Sequence, residues 1–312
     1  MNTSAPASAP DLPHGITVLE RGWLSANNIL FQGRHGCALA DSGYFIHAGQ
    51  TVDLVLCGLQ GQPLDLLINT HLHSDHCGGN AALQAQWPQL RTLIPPGQFQ
   101  HVRDWNADAL SYQPTGQTCP RFHADDVLAP GSEIALGDSI WQIHAAPGHD
   151  THAVILFEPA ARVLISGDAL WENGFGVVFP ELDGEEGFED VDATLELIER
   201  LAPRVVIPGH GPVFGDVPGA LAIARRRLAG FRSDPVKHAR HAAKVLLKYK
   251  LLEWQRIPIG EALRWLRATP YFQVLRQRHF SSRDADQWAA ELIQDLVDGG
   301  AAARDGELLV NA

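Results

Sequence analysis

Thr70-His71-Leu72-His73-Ser74-Asp75-His76-Cys77-Gly78-Gly79 places three imidazoles and a carboxylate within six residues. It follows the apolar run Leu64-Asp65-Leu66-Leu67-Ile68-Asn69, which reads as a buried strand opening into a loop at its C-terminal end. Neutral imidazoles and carboxylates are the donors that borderline divalent metals prefer, zinc above all. His71 and His73 stand two apart and point the same way in an extended loop. Asp75 and His76 fall one turn further on, where they face a second ion. The stretch therefore predicts two metals.

Three later stretches supply more donors of the same kind: Pro147-Gly148-His149-Asp150, Ser166-Gly167-Asp168-Ala169 and Pro208-Gly209-His210-Gly211. Each follows an apolar run, over residues 141–146, 162–165 and 205–207. Four strand ends, each delivering a ligand at a glycine-containing turn, describe a rigid scaffold with loop-borne chemistry. Cys77 beside His76 invites a ligand reading too, but the other donors already fill two sites.

With Ala40-Asp41-Ser42-Gly43, which looks like a strand-end Asp-Thr-Gly with Ser for Thr, the set resembles the metallo-β-lactamase superfamily over residues 15–230. The resemblance implies an α+β fold, a four-layer αββα sandwich. It also implies that His71, His73 and His149 bind one metal and Asp75, His76 and His210 the other, with Asp168 bridging and Asp41 as structural support. Within the superfamily the chain is similar to the glyoxalase II, lactonase and related ester or thioester hydrolase branches. His73 is intact where flavin-partnered redox branches carry glutamate. The chain departs from glyoxalase II after Asp168 and at His210, and it lacks a clear glutathione-binding tail.

The rest of the chain fits such a scaffold. Residues 1–14 are small, polar and Pro-rich, with no basic start or apolar core of signal-peptide length, and are expected to form a disordered or surface tail. Strands are expected at 16–19, 28–31 and 37–40, the last two joined as a hairpin by Gly33-Arg34-His35-Gly36. A helix is expected over 48–59, another starting at Gly78, and a strand over 90–94. Residues 97–130, carrying Trp105, Tyr112 and Phe122, read as a pocket wall or a surface excursion. Further strands are expected at 133–136, 141–146, 153–157, 162–165 and 204–207, with a helix over 191–201. The aromatic, Gly-rich run 171–179, with Trp171, Phe175 and Phe179, reads as the substrate mouth or as a loop packed on the sandwich edge. Tyr112, Trp171, Phe175 and Phe179 are thus the candidate pocket residues.

The net charge of −12 argues against a nucleic-acid partner. Four widely spaced cysteines do not form a disulfide framework and fit a reducing compartment, so a cytoplasmic location is expected. No apolar run is long enough to span a membrane. Residues 221–256 invert the balance, with ten Lys or Arg against two acids. They read either as a solvated helical face or as a surface for phosphate-bearing substrate or nucleic acid. Residues 231–312 are expected to form a small helical domain: a helix from Ile259, one over 284–297 and a short wing at 299–310, resembling the winged-helix tail of some superfamily members.

Two ions about 3.5 to 4 Å apart bridge a water and lower its pKa towards neutrality. The expected function is hydrolysis of a small ester, thioester or lactone by the resulting hydroxide, with Asp75 both ligand and proton relay and Zn2+ as the metal (Fe or Mn as substitutes). The partner is then a small-molecule substrate, with a homo-oligomer left open. The alternatives are a nuclease using the basic C-terminal region and a mononuclear iron persulfide dioxygenase.

Overall fold

Leu66-Leu67-Ile68 does form a strand between two parallel neighbours, buried on both faces because Leu67 packs against helices and Ile68 against the second sheet. The structure, a computed structural model, describes residues 10–312, so the first nine residues of the expected tail lie outside the described residues. Residues 10–14 run along the sandwich surface, where Arg204 donates to the Asp11 carbonyl.

The first sheet has six strands in chain order: β1 (Ile16–Leu19), β2 (Asn28–Gly33), β3 (Gly36–Ala40), β4 (Leu66–Ile68), β5 (Arg91–Ile94) and β6 (Asp126–Val127). Its first three strands are antiparallel and the rest parallel. Gly33 pairs with Gly36, closing the expected hairpin. The second sheet contains β7 (Glu133–Leu136), β8 (Ser139–Ala145), β9 (Val154–Glu158), β10 (Val163–Gly167) and β11 (Val205–Pro208), in the order β11-β10-β9-β8-β7.

The sheets face each other across Ile29, Phe31, Ile68, Trp141, Leu156 and Ile165. Phe31 meets Trp141 edge to face at 5.5 Å, a pairing that contributes about 0.5–1.5 kcal/mol beyond area burial. Outside the first sheet, Leu30, Leu39 and Leu67 pack on α1 (Ala48–Leu59) and on the helix Asn80–Gln86. Outside the second, Ile155, Leu164 and Val206 pack on the helices Gly187–Leu201 and Val217–Ser233. Helix, sheet, sheet, helix is the expected four-layer order.

Helix formation after the ligand loop begins earlier than Gly78. Ser74–Cys77 is already a helical turn, α2, because His73 is extended and Gly78 N donates back to Ser74 O; α3 (Asn80–Gln86) follows. In the 97–130 segment, α4 (Phe99–Asp104) and its flanks bury Leu72, Ile94, Val102, Tyr112 and Phe122 as a small core of their own.

The short helix α5 (Phe179–Asp183) leads into α6 (Gly187–Leu201). Then come α7 (Val217–Ser233) and α8 (Pro235–Trp254), broken at Asp234-Pro235 as the proline requires. The Asp234 side chain accepts from Lys237 N at the head of α8. Beyond it lie α9 (Ile259–Ala268), α10 (Pro270–His279) and α11 (Ala285–Asp298). A three-stranded antiparallel sheet of β12 (Arg256–Pro258), β13 (Ala302–Asp305) and β14 (Leu308–Asn311) completes the region in the order β12-β14-β13. The sequence reading missed α10 and β12. Both begin or end on proline, which is tolerated at a helix start and at a strand end where no amide donor is needed.

Candidate metal centre

Each donor stands just past a strand end of the sandwich. His71, His73, Asp75 and His76 follow β4, His149 follows β8, Asp168 follows β10 and His210 follows β11. Their donor atoms gather into three overlapping groups: His71 with His73 and His149, His71 with His76 and Asp168, and Asp75 with His76 and His210. Asp168 lies between them. Its Oδ2 is 3.4 Å from His149 Nε2, while its Oδ1 is 3.4 Å from His76 Nε2 and 3.8 Å from His210 Nε2.

The donor chemistry fits divalent cations. His149 Nδ1 donates to the Val177 carbonyl at 2.6 Å, which leaves the Nε2 lone pair facing His73 Nδ1 at 2.7 Å. His73 Nδ1 is also 3.1 Å from His71 Nε2. Burial pushes His73 and His149 down to about 4. Burial and the neighbouring imidazoles hold His71 well below the ordinary histidine range. Neutral rings therefore converge their lone pairs, as a metal requires. At His76 burial opposes charge, yet Asp41, Asp168 and Asp75 raise it well above the ordinary range. His76 Nε2 is buried with no hydrogen-bond partner. Asp168 at 3.4 Å and Asp75 at 4.0 Å thus favour a positive charge at the point where this unpartnered nitrogen faces them.

Asp41 fixes the loop from behind. Its carboxylate accepts from Thr70 N at 2.9 Å, Thr70 Oγ1 at 2.8 Å and His76 Nδ1 at 2.7 Å. The last contact sets the tautomer that turns His76 Nε2 towards Asp168. Gly209 lets the His210 turn approach: a Cβ there would lie 2.9 Å from His76 Cε1.

The centre opens into a cleft of about 490 Å³. Of the four candidate pocket residues, Trp171 and Phe179 line it. The Trp171 indole donates to Asp168 Oδ1 at 3.1 Å, and the Phe179 ring lies 5.1 Å from that of His73. Tyr112 and Phe175 are buried instead. Tyr112 Oη donates to the Leu72 carbonyl at 3.0 Å, bracing the ligand loop, and Phe175 packs in the second sheet's outer core. Cys77 belongs to none of the donor groups; its Sγ faces the Leu72 and His73 carbonyls. Sequence reasoning missed Trp23, which is 60% exposed and stacks on the His210 ring at 5.5 Å. It also missed Val245, Leu246 and Tyr249 of α8 and Tyr271 of α10, which close the cleft from the helical side. No local signal marks them, because only the folded chain brings those helices over the metal loop.

A sequence model of the metallo-beta-lactamase superfamily matches residues 21–210, more than half of the chain. The chain belongs to this superfamily. Among superfamily relatives, an acyl-coenzyme A thioesterase from Gallus gallus is 25% identical over 51% of this chain and 60% of its own length. A hydroxyacylglutathione hydrolase from Anaeromyxobacter dehalogenans is 30% identical over 56% of this chain and 62% of its own. Both alignments span less than two thirds of the relative. The crystal structure of a metallo-beta-lactamase family protein from Thermus thermophilus shares the fold at a TM-score of 0.57 and 19% identity, covering 96% of this chain and 99% of its own.

Proposed function

We propose that this chain is a dinuclear metal-dependent hydrolase of a small ester, thioester or lactone. The observation that carries the reading is the set of three overlapping donor groups, with Asp168 between His149, His76 and His210, at the floor of a cleft with no Lys or Arg among its described lining residues. Divalent ions bound there supply an activated water and polarise the carbonyl under attack. His71, His73 and His149 would hold one ion and Asp75, His76 and His210 the other, with Asp168 between.

The chain's own residues do the rest. Asp75 Oδ2 lies 3.1 Å from His210 Nε2 and borders the cleft, placed to carry a proton towards the leaving group. Trp23, Trp171 and Phe179 narrow the approach and exclude water around the acyl group. Apart from the donors, Asp108, Asp150, Asp183 and Glu185 border the cleft. Beyond the metal centre a phosphodiester backbone would meet carboxylates and no Lys or Arg, which weighs against the nuclease reading. It equally disfavours substrates with carboxylates of their own, so the reading is of a neutral acyl compound.

One observation favours a second reading. His71, His76 and Asp168 make a two-histidine, one-carboxylate set, the donor pattern of non-haem iron sites. Metal content of protein purified without chelator or added metal separates the two. About two zinc ions per chain, with turnover of esters, thioesters or lactones and none of RNA, is the expected outcome. About one iron per chain, with oxygen uptake on persulfides, would replace the hydrolase reading.

A further inference from the structure

The ten Lys and Arg residues between 221 and 256 sort into two sets. Arg225 pairs with Glu199 at 2.7 Å, Arg232 with Glu189 and Asp192 at 2.9 Å, and Arg240 with Asp295 at 2.7 Å. Lys250 pairs with Glu253 and Arg256 with Asp305. Lys248 donates to the Ala301 and Ala312 carbonyls and to Asn311. Four remain: Arg226, Arg227, Lys237 and Lys244. None reaches a carboxylate within 4.0 Å among the described residues, and all four line one cavity of about 360 Å³ between α7 and α8.

Arg240, His241, Gly230 and Phe231 complete the lining, with no carboxylate among them. Arg227 donates to His241 Nε2 at 2.6 Å and lies 5.5 Å from the ring centres of both Phe175 and Phe231. Burial disfavours the charged Arg227, and burial with Arg227 and Lys244 pushes His241 down to about 4. The nearby acids are committed elsewhere. Both Asp295 oxygens take Arg240, and Asp234 caps α8 through Lys237 N. Like charges gathered around one cavity repel one another, and a bound anion relieves that repulsion.

We propose that this cavity binds a small, multiply charged anion of the phosphate class. Four cations around one cavity of about 360 Å³ suit a compact ligand. A nucleic acid needs an extended basic stripe with exposed stacking aromatics, and Phe231 is buried. A short chain of contacts links the site to the catalytic cleft. Arg227 abuts Gly174, where a Cβ would fall 2.7 Å from Nη1. Gly174 in turn bridges to Trp171, whose indole holds Asp168. Occupancy therefore stiffens one wall of the cleft.

The test is calorimetric titration of the metal-loaded full chain with inorganic phosphate and with 2,3-bisphosphoglycerate. One bisphosphate per chain is expected, bound about tenfold or more tighter than phosphate and weakened by salt. The Lys237→Gln/Lys244→Gln variant, whose side chains sit at the rim, should fold with unchanged circular dichroism and lose about tenfold or more in affinity. Equal binding by variant and wild type would place the anion at the metal centre and overturn the proposal, as would no saturable binding. A single-stranded RNA that displaces the bisphosphate and binds more tightly would overturn the small-anion assignment.

Discussion

Asp41 sits at φ +57°, a left-handed conformation that non-glycine residues seldom adopt. That strain is held by the three hydrogen bonds its carboxylate accepts from Thr70 and His76. Asp41→Asn keeps the shape but weakens the hold on the His76 tautomer. Metal affinity at the Asp75–His76–His210 side should fall about 10–100-fold, read by competition with a chromogenic chelator while circular dichroism stays unchanged. His71→Ala and Asp168→Ala should each abolish turnover with the fold intact, since His71 belongs to two of the three donor groups and Asp168 is the carboxylate that stands between His149, His76 and His210. A variant with wild-type activity would take its residue out of the site.

At the scale of elements, α8 does two jobs. Its Val245, Leu246 and Tyr249 border the cleft, and its first turns build the basic cavity. Asp234 caps it, so Asp234→Ala should cost about 1 kcal/mol in denaturant unfolding. His238, buried near the head of the same helix, accepts from Val178 N at 3.2 Å beside the Phe179 wall. Burial, then His241 and Arg227, push it down to about 3. The unfolded histidine titrates near 6.5, so as pH falls the unfolded chain takes up the proton first. The stability tied to neutral His238 is intact above that value and is lost progressively towards pH 3. His238→Gln should make the fall of Tm between pH 6.5 and pH 4 shallower. An unchanged slope would mean that other groups carry the acid sensitivity.

Across the whole molecule, charge is segregated. Acidic side chains border the catalytic cleft, and unpaired cations gather on the other side of the 171–176 loop. Thioesters matched in size but differing in a remote charge should separate accordingly. The neutral member should exceed its carboxylate-bearing counterpart by about tenfold or more in kcat/KM. The gap should shrink as salt screens the cleft. Preference for the anion would contradict the cleft's electrostatics even if hydrolysis itself were observed. No described helix is long and apolar enough to cross a membrane.

The sequence by itself marked most of the sandwich's strands and the side chains that meet at the candidate centre. Alternating and continuous apolar runs specify strands locally, and His-x-His-x-Asp-His with three glycine-flanked donors is dense enough to be read without contacts. What only the tertiary structure decided were the long-range meetings. Tyr112 and Phe175 turn inwards and Trp23 turns onto His210, since which face an aromatic buries depends on partners far along the chain. The charge of residues 221–256 was plain to read, but its division into paired and unpaired cations was not. That division depends on where Glu199, Asp192 and Asp295 come to lie, which packing alone sets.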